Sequence, residues 1–141
     1  MITIRLAKRE DAADIKHLND LFNGKDSNTL PRITESLQDN DRELVYVAVV
    51  AGATVGFCCA IIIKSLCYSA AYAEITELFV TKQYRRQGIG EQLLKTMEKT
   101  LIEAGVIHIH IHTAADNKQA QGLYQHCGYR VTDELLLDKD C

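Results

Sequence analysis

Residues 80–90 read Val80-Thr81-Lys82-Gln83-Tyr84-Arg85-Arg86-Gln87-Gly88-Ile89-Gly90, and their setting decides the fold. The apolar run Leu78, Phe79, Val80 enters the stretch as a strand does, and Leu93, Leu94, Met97 and Leu101 leave it at helical spacing. A turn with two glycines and paired arginines therefore sits at the start of a helix, where the first amide N–H groups have no partner within the helix. A phosphate or pyrophosphate suits that place. The free donors and the positive end of the helix dipole point at it, and Gly88 and Gly90 let the backbone approach with no Cβ in the way. The spacing Arg85-x-x-Gly88-x-Gly90 is neither the dinucleotide fingerprint nor the Walker P-loop, because the third glycine and the Lys-Ser/Thr pair are missing. It predicts a pyrophosphate loop of another kind.

Outward from this turn, the pattern predicts alternating strands and helices. Ile2 and Ile4 alternate with Thr3 and Arg5 as a short strand, and Ile15, Leu18, Leu21 and Phe22 recur at helical spacing before Asn23-Gly24. A second helix is expected over 30–37, with Pro31 in its first turn and Asp39-Asn40-Asp41 as its breaker. The β-rich runs 44–50 and 55–63, joined by Ala51-Gly52-Ala53, read as a hairpin, and 72–80 as a third long strand. The long helix runs over 88–104, with Leu93, Leu94, Met97, Leu101 and Ile102 on one face and Gly105 as its stop. A strand over 106–113, a helix over 117–127 ending at Gly128, and a short closing strand over 135–137 complete the chain. The order β-α-α-β-β-β-α-β-α-β is that of an α/β (α+β) fold, one domain over 1–141 with a mixed central sheet flanked by helices.

Composition narrows the class. The chain of 141 residues is 47% hydrophobic and 25% charged, ordinary for a globular protein, with a net charge of −3. No global basic field recruits nucleic acid. The longest apolar run, 55–63, falls far short of the ~20 residues that span a bilayer, and the N-terminus enters a strand rather than a leader. The expected location is the cytoplasm. Cys58, Cys59, Cys67, Cys127 and Cys141 are an odd set without a C-x-x-C pair, so they read as reduced thiols, and no metal is expected.

The turn at 80–90 resembles motif A of the GCN5-related N-acetyltransferase (GNAT) superfamily, whose ligand is acetyl-coenzyme A. Asn117-x-x-Ala120-x-x-Leu123-Tyr124-x-x-x-Gly128-Tyr129 is similar to that family's motif B, and Ile2-Thr3-Ile4-Arg5-x-Ala7 before an acidic helix turn looks like its first strand and helix. The resemblance implies a GNAT-like fold and an acetyl-CoA-dependent N-acetyltransferase working by direct attack in a ternary complex. It implies that Leu78, Phe79 and Val80 hold the acetyl carbonyl and pantetheine through backbone groups. Arg85, Arg86, Gln87, Gly88, Ile89 and Gly90 then bind the pyrophosphate, and Asn117 either caps its helix or bonds the coenzyme. Tyr124 falls where the family keeps a tyrosine that gives a proton to the departing thiolate.

The amine must lose a proton before it attacks, because an alkyl ammonium of pKa ~10 is about 99.9% protonated at neutral pH. Glu74 matches the general base of the histone-type branch, and Glu77 sits where other branches place an acidic residue near the amine. On a regular strand these two side chains face opposite sides, so only a bulge brings both to one amine. His108, His110 and His112 alternate with Ile107, Ile109 and Ile111, three imidazoles on one strand face. That ladder reads first as hydrogen-bonded residues on a partly covered face; a zinc or copper site and a base near the amine are its other readings. The expected acceptor is a small cationic amine, aminoglycoside-like or polyamine, met by polar residues between the first two helices and in the loop 65–71. A protein N-terminus or lysine as acceptor, and a non-catalytic acetyl-CoA-binding module, are the alternatives. The short stretch after Gly128 leaves little to cover the sheet edge, so a homodimer is expected.

Overall fold

The computed structural model describes residues 1–39 and 42–141. Along the chain run β1 (Ile2–Leu6), α1 (Ala12–Asn23), α2 (Leu30–Asp39), β2 (Glu43–Val50), β3 (Ala53–Ile63), β4 (Tyr72–Val80), α3 (Ile89–Glu103), β5 (His108–Ile111) and α4 (Lys118–His126). The strands form one sheet in the order β1-β2-β3-β4-β5, antiparallel except for the last pair, which is parallel. A parallel pair needs a crossover, and α3 supplies it. This is the expected mixed sheet flanked by helices.

The sheet separates two cores. On one face α3 packs Ile89, Leu93, Leu94, Met97 and Leu101 against Ala48, Val55, Cys58, Ala60, Ala73 and Ile75. Each of those large helix side chains is at most 1% exposed, which stabilises by about 1.5–3 kcal/mol apiece. On the other face α1 and α2 set Ala12, Ile15, Leu18 and Ile33 against Val47, Phe57, Cys59 and Phe79. β3, the middle strand, is buried from Val55 to Ala60, which explains its nearly continuous apolar sequence. At its closed end, β2 turns into β3 through Ala51 (φ 49°) and Gly52 (φ 80°). Two successive left-handed residues suit the twist of a two-residue hairpin.

Several boundaries differ from expectation for physical reasons. The closing strand over 135–137 is absent: Leu135, Leu136 and Leu137 are 70–87% exposed, three consecutive leucines between acidic residues with no two-residue alternation to offer a sheet. β5 is only four residues long. Val106, expected to begin it, instead closes the end of α3 by donating its N–H to the Leu101 carbonyl (3.0 Å). Ile102, expected on the buried face, is 63% exposed, since five residues beyond Met97 the helix has turned about 140°. α2 extends to Asp39, and of its expected breaker, Asn40 and Asp41 lie outside the described residues.

Candidate active site

The site opens where β4 and β5 part. Their pairing runs from Tyr72↔His108 to Ile75↔Ile111 and stops, while β4 continues to Val80 bonded to β3 alone. Backbone donors and acceptors on the vacated edge of β4 are left for another partner. A pocket of about 300 Å³ fills the gap, lined by Ile75, Thr76, Glu77 and Leu78 on β4, the chain from Ile111 to Ala114, and Asn117, Ala120 and Tyr124 at α4. Thr76 Oγ1 in this wall is buried without a hydrogen-bond partner, as is Thr81 Oγ1 at the end of β4. Orphaned buried hydroxyls beside an open strand edge are what a polar, amide-rich ligand satisfies.

A β-bulge resolves the carboxylate question. Ala60 pairs with Ile75 but Cys59 pairs with Glu77, so Thr76 is an extra residue on β4. Ala73 and Ile75 before the bulge face α3, as do Leu78 and Val80 after it, while Phe79 faces α1 and α2. Glu74 and Glu77 therefore share the α1–α2 face. Burial raises the pKa of Glu77, against a hydrogen bond from Asn23 that lowers it. Glu77 also borders a second pocket, about 370 Å³, between α1, α2 and the sheet, with Asn19, Asn23, Ser27, Ser36 and Glu43 in its walls.

The three histidines have different surroundings. His110 lies against the Tyr72 ring (centroids 5.3 Å apart) and beside His108 (6.2 Å), both imidazoles exposed on the edge strand. His112 reaches the first pocket, and its Nδ1 is hydrogen-bonded to Glu74 Oε1 at 2.5 Å. Among the described residues no three His, Cys, Asp or Glu side chains come together as a group able to hold a metal ion.

The turn has the geometry of an anion cradle. After a 3-10 turn at Lys82–Tyr84, Arg85 Nε donates to the Val80 carbonyl (2.8 Å), and its guanidinium lies 5.5 Å from the Phe79 ring centroid. Arg86 (φ 61°) and Gly88 (φ 78°) are left-handed on either side of Gln87, an alternation that turns successive N–H groups to one side. For Arg86 that conformation costs about 1–2 kcal/mol, strain that persists only where the surroundings enforce it. Gly88 is the N-cap of α3 and offers no side chain to the first-turn amides. Gly90 also bears on packing: a Cβ there would stand 3.3 Å from Leu123 Cδ2, so its bareness eases the approach of α4 to α3. Ile89 is a core anchor, 1% exposed.

α4 brings the last two candidates. Asn117 Oδ1 accepts from the Ala120 N–H (3.1 Å), so it caps the helix, while its side chain also borders the first pocket. Tyr124 lies edge-on to Tyr129 (6.1 Å, 62°). Burial first, then Cys58 and Glu77, push its phenol up, so it keeps its proton at neutral pH. Burial also pushes Cys58 up to about 12 and Cys59 well above the usual thiol range. Neither is a thiolate.

Thr76 and Asn23 escape a reading based on alternation. A usable signal for the bulge exists in the sequence: apolar Ala73 and Ile75, then Leu78 and Val80, break the two-residue beat once.

Known proteins resemble this chain in sequence and in fold. A model of the acetyltransferase (GNAT) family matches residues 12–129. An uncharacterized N-acetyltransferase of Chlorobaculum tepidum is 30% identical over 131 residues, covering 93% of this chain and 77% of the relative. A probable N-acetyltransferase 14 of Xenopus tropicalis is 39% identical over 59 residues, 42% of this chain; the match spans only 29% of that longer protein. Among solved structures, an aminoglycoside N-acetyltransferase in complex with CoA superposes with a TM-score of 0.84 at 22% identity, covering 99% of this chain and 95% of the other.

Proposed function

We propose a donor, an acceptor class and a mechanism for this chain, which belongs to the acetyltransferase (GNAT) family and is an N-acetyltransferase of that type. The donor is acetyl-CoA. The acceptor is a primary amine on a small cationic molecule of the aminoglycoside or polyamine kind. The observation that carries this reading is Glu77, which borders both the gap between the parted strands and the polar pocket under α1 and α2. Asn19, Asn23, Ser27 and Ser36 in that pocket suit hydroxyl and amine groups, and the carboxylates of Glu43 and Glu77 suit ammonium. The shared fold with an aminoglycoside N-acetyltransferase that binds CoA supports it.

The residues fit the donor. The left-handed turn of Arg86 and Gly88, with Gln87 between them and the first amides of α3 behind, would hold the pyrophosphate. The open edge of β4 over Leu78, Phe79 and Val80 and the orphaned Thr76 hydroxyl would hold the pantetheine amides and acetyl carbonyl. Arg85 fastens the turn to β4 through Val80. The thioester supplies an activated acetyl group. Tyr124, proton retained, is the acid for the departing sulfur. Glu77 receives the acceptor ammonium, and Glu74 stands on the same face, bonded to His112. With Cys58 and Cys59 protonated and buried, the amine attacks directly in a ternary complex and no acyl-enzyme forms.

We take residues 1–141 as one domain, acting in the cytoplasm as a homodimer that covers the outer edge of β5. Among the described residues no helix is long and apolar enough to cross a membrane, and the net charge of −3 gives nucleic acid no basic field. The test is acetyl-CoA consumption across a panel of aminoglycosides, polyamines, amino acids and peptides with free amines. Turnover is expected with the first two classes, with Glu77→Gln raising the acceptor KM about tenfold, the loss of one charge-assisted contact. Turnover of peptides alone would replace the acceptor. Saturable coenzyme binding with no transfer would replace catalysis with binding.

A further inference from the structure

Of the three imidazoles on and just after β5, His112 alone reaches the pocket at the parted strands, and it is not free to turn. Its Nδ1 lies 2.5 Å from Glu74 Oε1. An ionised carboxylate only accepts hydrogen bonds, so Nδ1 must carry the hydrogen and Nε2 is left bare in the neutral ring. A second carboxylate, Glu77, stands in the same pocket wall but is already bonded by Asn23. An imidazole with its tautomer fixed by a carboxylate behind it is the arrangement that makes histidine an effective base. The register that creates it is a diagonal one: Glu74 pairs with His110, and the side chain of His112 reaches back two positions across the last rung of the parallel ladder.

We propose that His112 Nε2 takes the proton from the acceptor ammonium, and that Glu74 is a positioning residue acting through His112. This rests on the acetyl transfer proposed above. The protons balance as follows. The ammonium gives one proton to His112, which passes it to water. The amine lone pair then forms the C–N bond, the C–S bond breaks, and Tyr124 protonates the sulfur. The resulting phenolate recovers its proton from the newly formed amide nitrogen. The titratable groups around His112 are Glu74 and Glu77 on β4, Tyr124 on α4 and His110 on β5.

The test compares the full-length wild type with His112→Gln, Glu74→Ala and the double variant, using acetyl-CoA and the panel amine of highest kcat/KM. The His112 side chain is 54% exposed, so the glutamine variant is expected to fold. Its kcat/KM for the amine at pH 7 should fall about 10²–10⁴-fold with the KM for acetyl-CoA unchanged. Its rate should then climb about tenfold per pH unit toward the amine pKa, as solution deprotonation replaces the base. Glu74→Ala should lose about tenfold, since the ring loses the carboxylate that fixes its tautomer and orientation. The double variant should match His112→Gln within about twofold, because Glu74 has no route except through His112. Independently of turnover, ring ¹⁵N shifts should show the Nδ1–H form of His112 in the wild type and a move toward Nε2–H in Glu74→Ala. A His112→Gln profile that overlays the wild type overturns the proposal while leaving acetyl transfer standing, and so does an Nε2–H ring in the wild type. A wild type that acetylates no amine removes both.

Discussion

Replacing Gly56 by alanine tests how the site is framed, at a residue outside it. A Cβ at position 56 would stand 2.8 Å from the Phe79 carbonyl oxygen, 3.2 Å from Val80 Cγ2 and 3.4 Å from Leu93 Cδ1. The first of these is backbone and cannot swing away, so restoring ordinary contact requires β3 and β4 to separate by roughly half an ångström. Overpacking of this kind costs about 1–3 kcal/mol. Alanine also narrows the unfolded ensemble, which offsets about 0.4–1 kcal/mol. A net loss near 1–2 kcal/mol remains. For 141 residues the unfolding entropy is about 0.3 kcal/mol per kelvin, so Tm should drop about 3–7 °C. Because the Val80 carbonyl anchors Arg85 (2.8 Å), the displacement carries into the turn, and the KM for acetyl-CoA should rise about tenfold, within the range that ångström-scale misplacement produces. Differential scanning fluorimetry and coenzyme titration read both. A variant with Tm within about 1 °C of the wild type and unchanged KM would show that β4 is not held by this contact.

Tyr124→Phe keeps the ring packing on Tyr129 and removes the proton donor; kcat should fall about 10²–10³-fold with coenzyme affinity unchanged, measured by thiol release, and an unaltered kcat would remove Tyr124 from the chemistry. Asp11, 5% exposed, accepts from Arg5 Nη1 and Nη2 and from the Lys8 N–H, each at 2.8 Å. The Arg5 bonds hold its carboxyl below the usual range, so its contribution is present above the unfolded pKa of ~3.9 and is lost as pH falls through the lower folded value. Asp11→Asn should therefore cost about 1.5–3 kcal/mol at pH 7, and the Tm gap to wild type should hold down to about pH 4 and narrow as the pH falls further; a gap that persists unchanged in acid would contradict this. Gly122 is exposed inside α4, and a Cβ added there would meet nothing within 4 Å. Its conversion to alanine should gain about 0.8–1 kcal/mol, seen as a Tm rise of about 3 °C; a fall would mean that the helix needs the glycine.

The parts of the fold that were legible in sequence are those with a local cause. The period of Leu93, Leu94, Met97 and Leu101 placed α3, and Gly88 and Gly105 marked its ends because both hold left-handed backbone there. Asn117 could be read as a cap because capping spans three residues. The rest depends on partners remote in sequence. Gly56 reveals its purpose only against Phe79 and Leu93, and Gly90 only against Leu123. His112 and Glu74 meet because of a β4–β5 register that no short window encodes. Leu135, Leu136 and Leu137 have strand-like composition, but composition cannot supply the neighbour a strand must bond to.

Thr76 has one last implication. It shifts β4 out of phase with itself, so that everything before it is written in one parity and everything after it in the other. Delete that single residue with the downstream half held in place, and Glu74 swings toward α3 while Ala73 and Ile75 rotate to the side it vacated. The inventory of side chains would be almost intact and the address of each would be wrong.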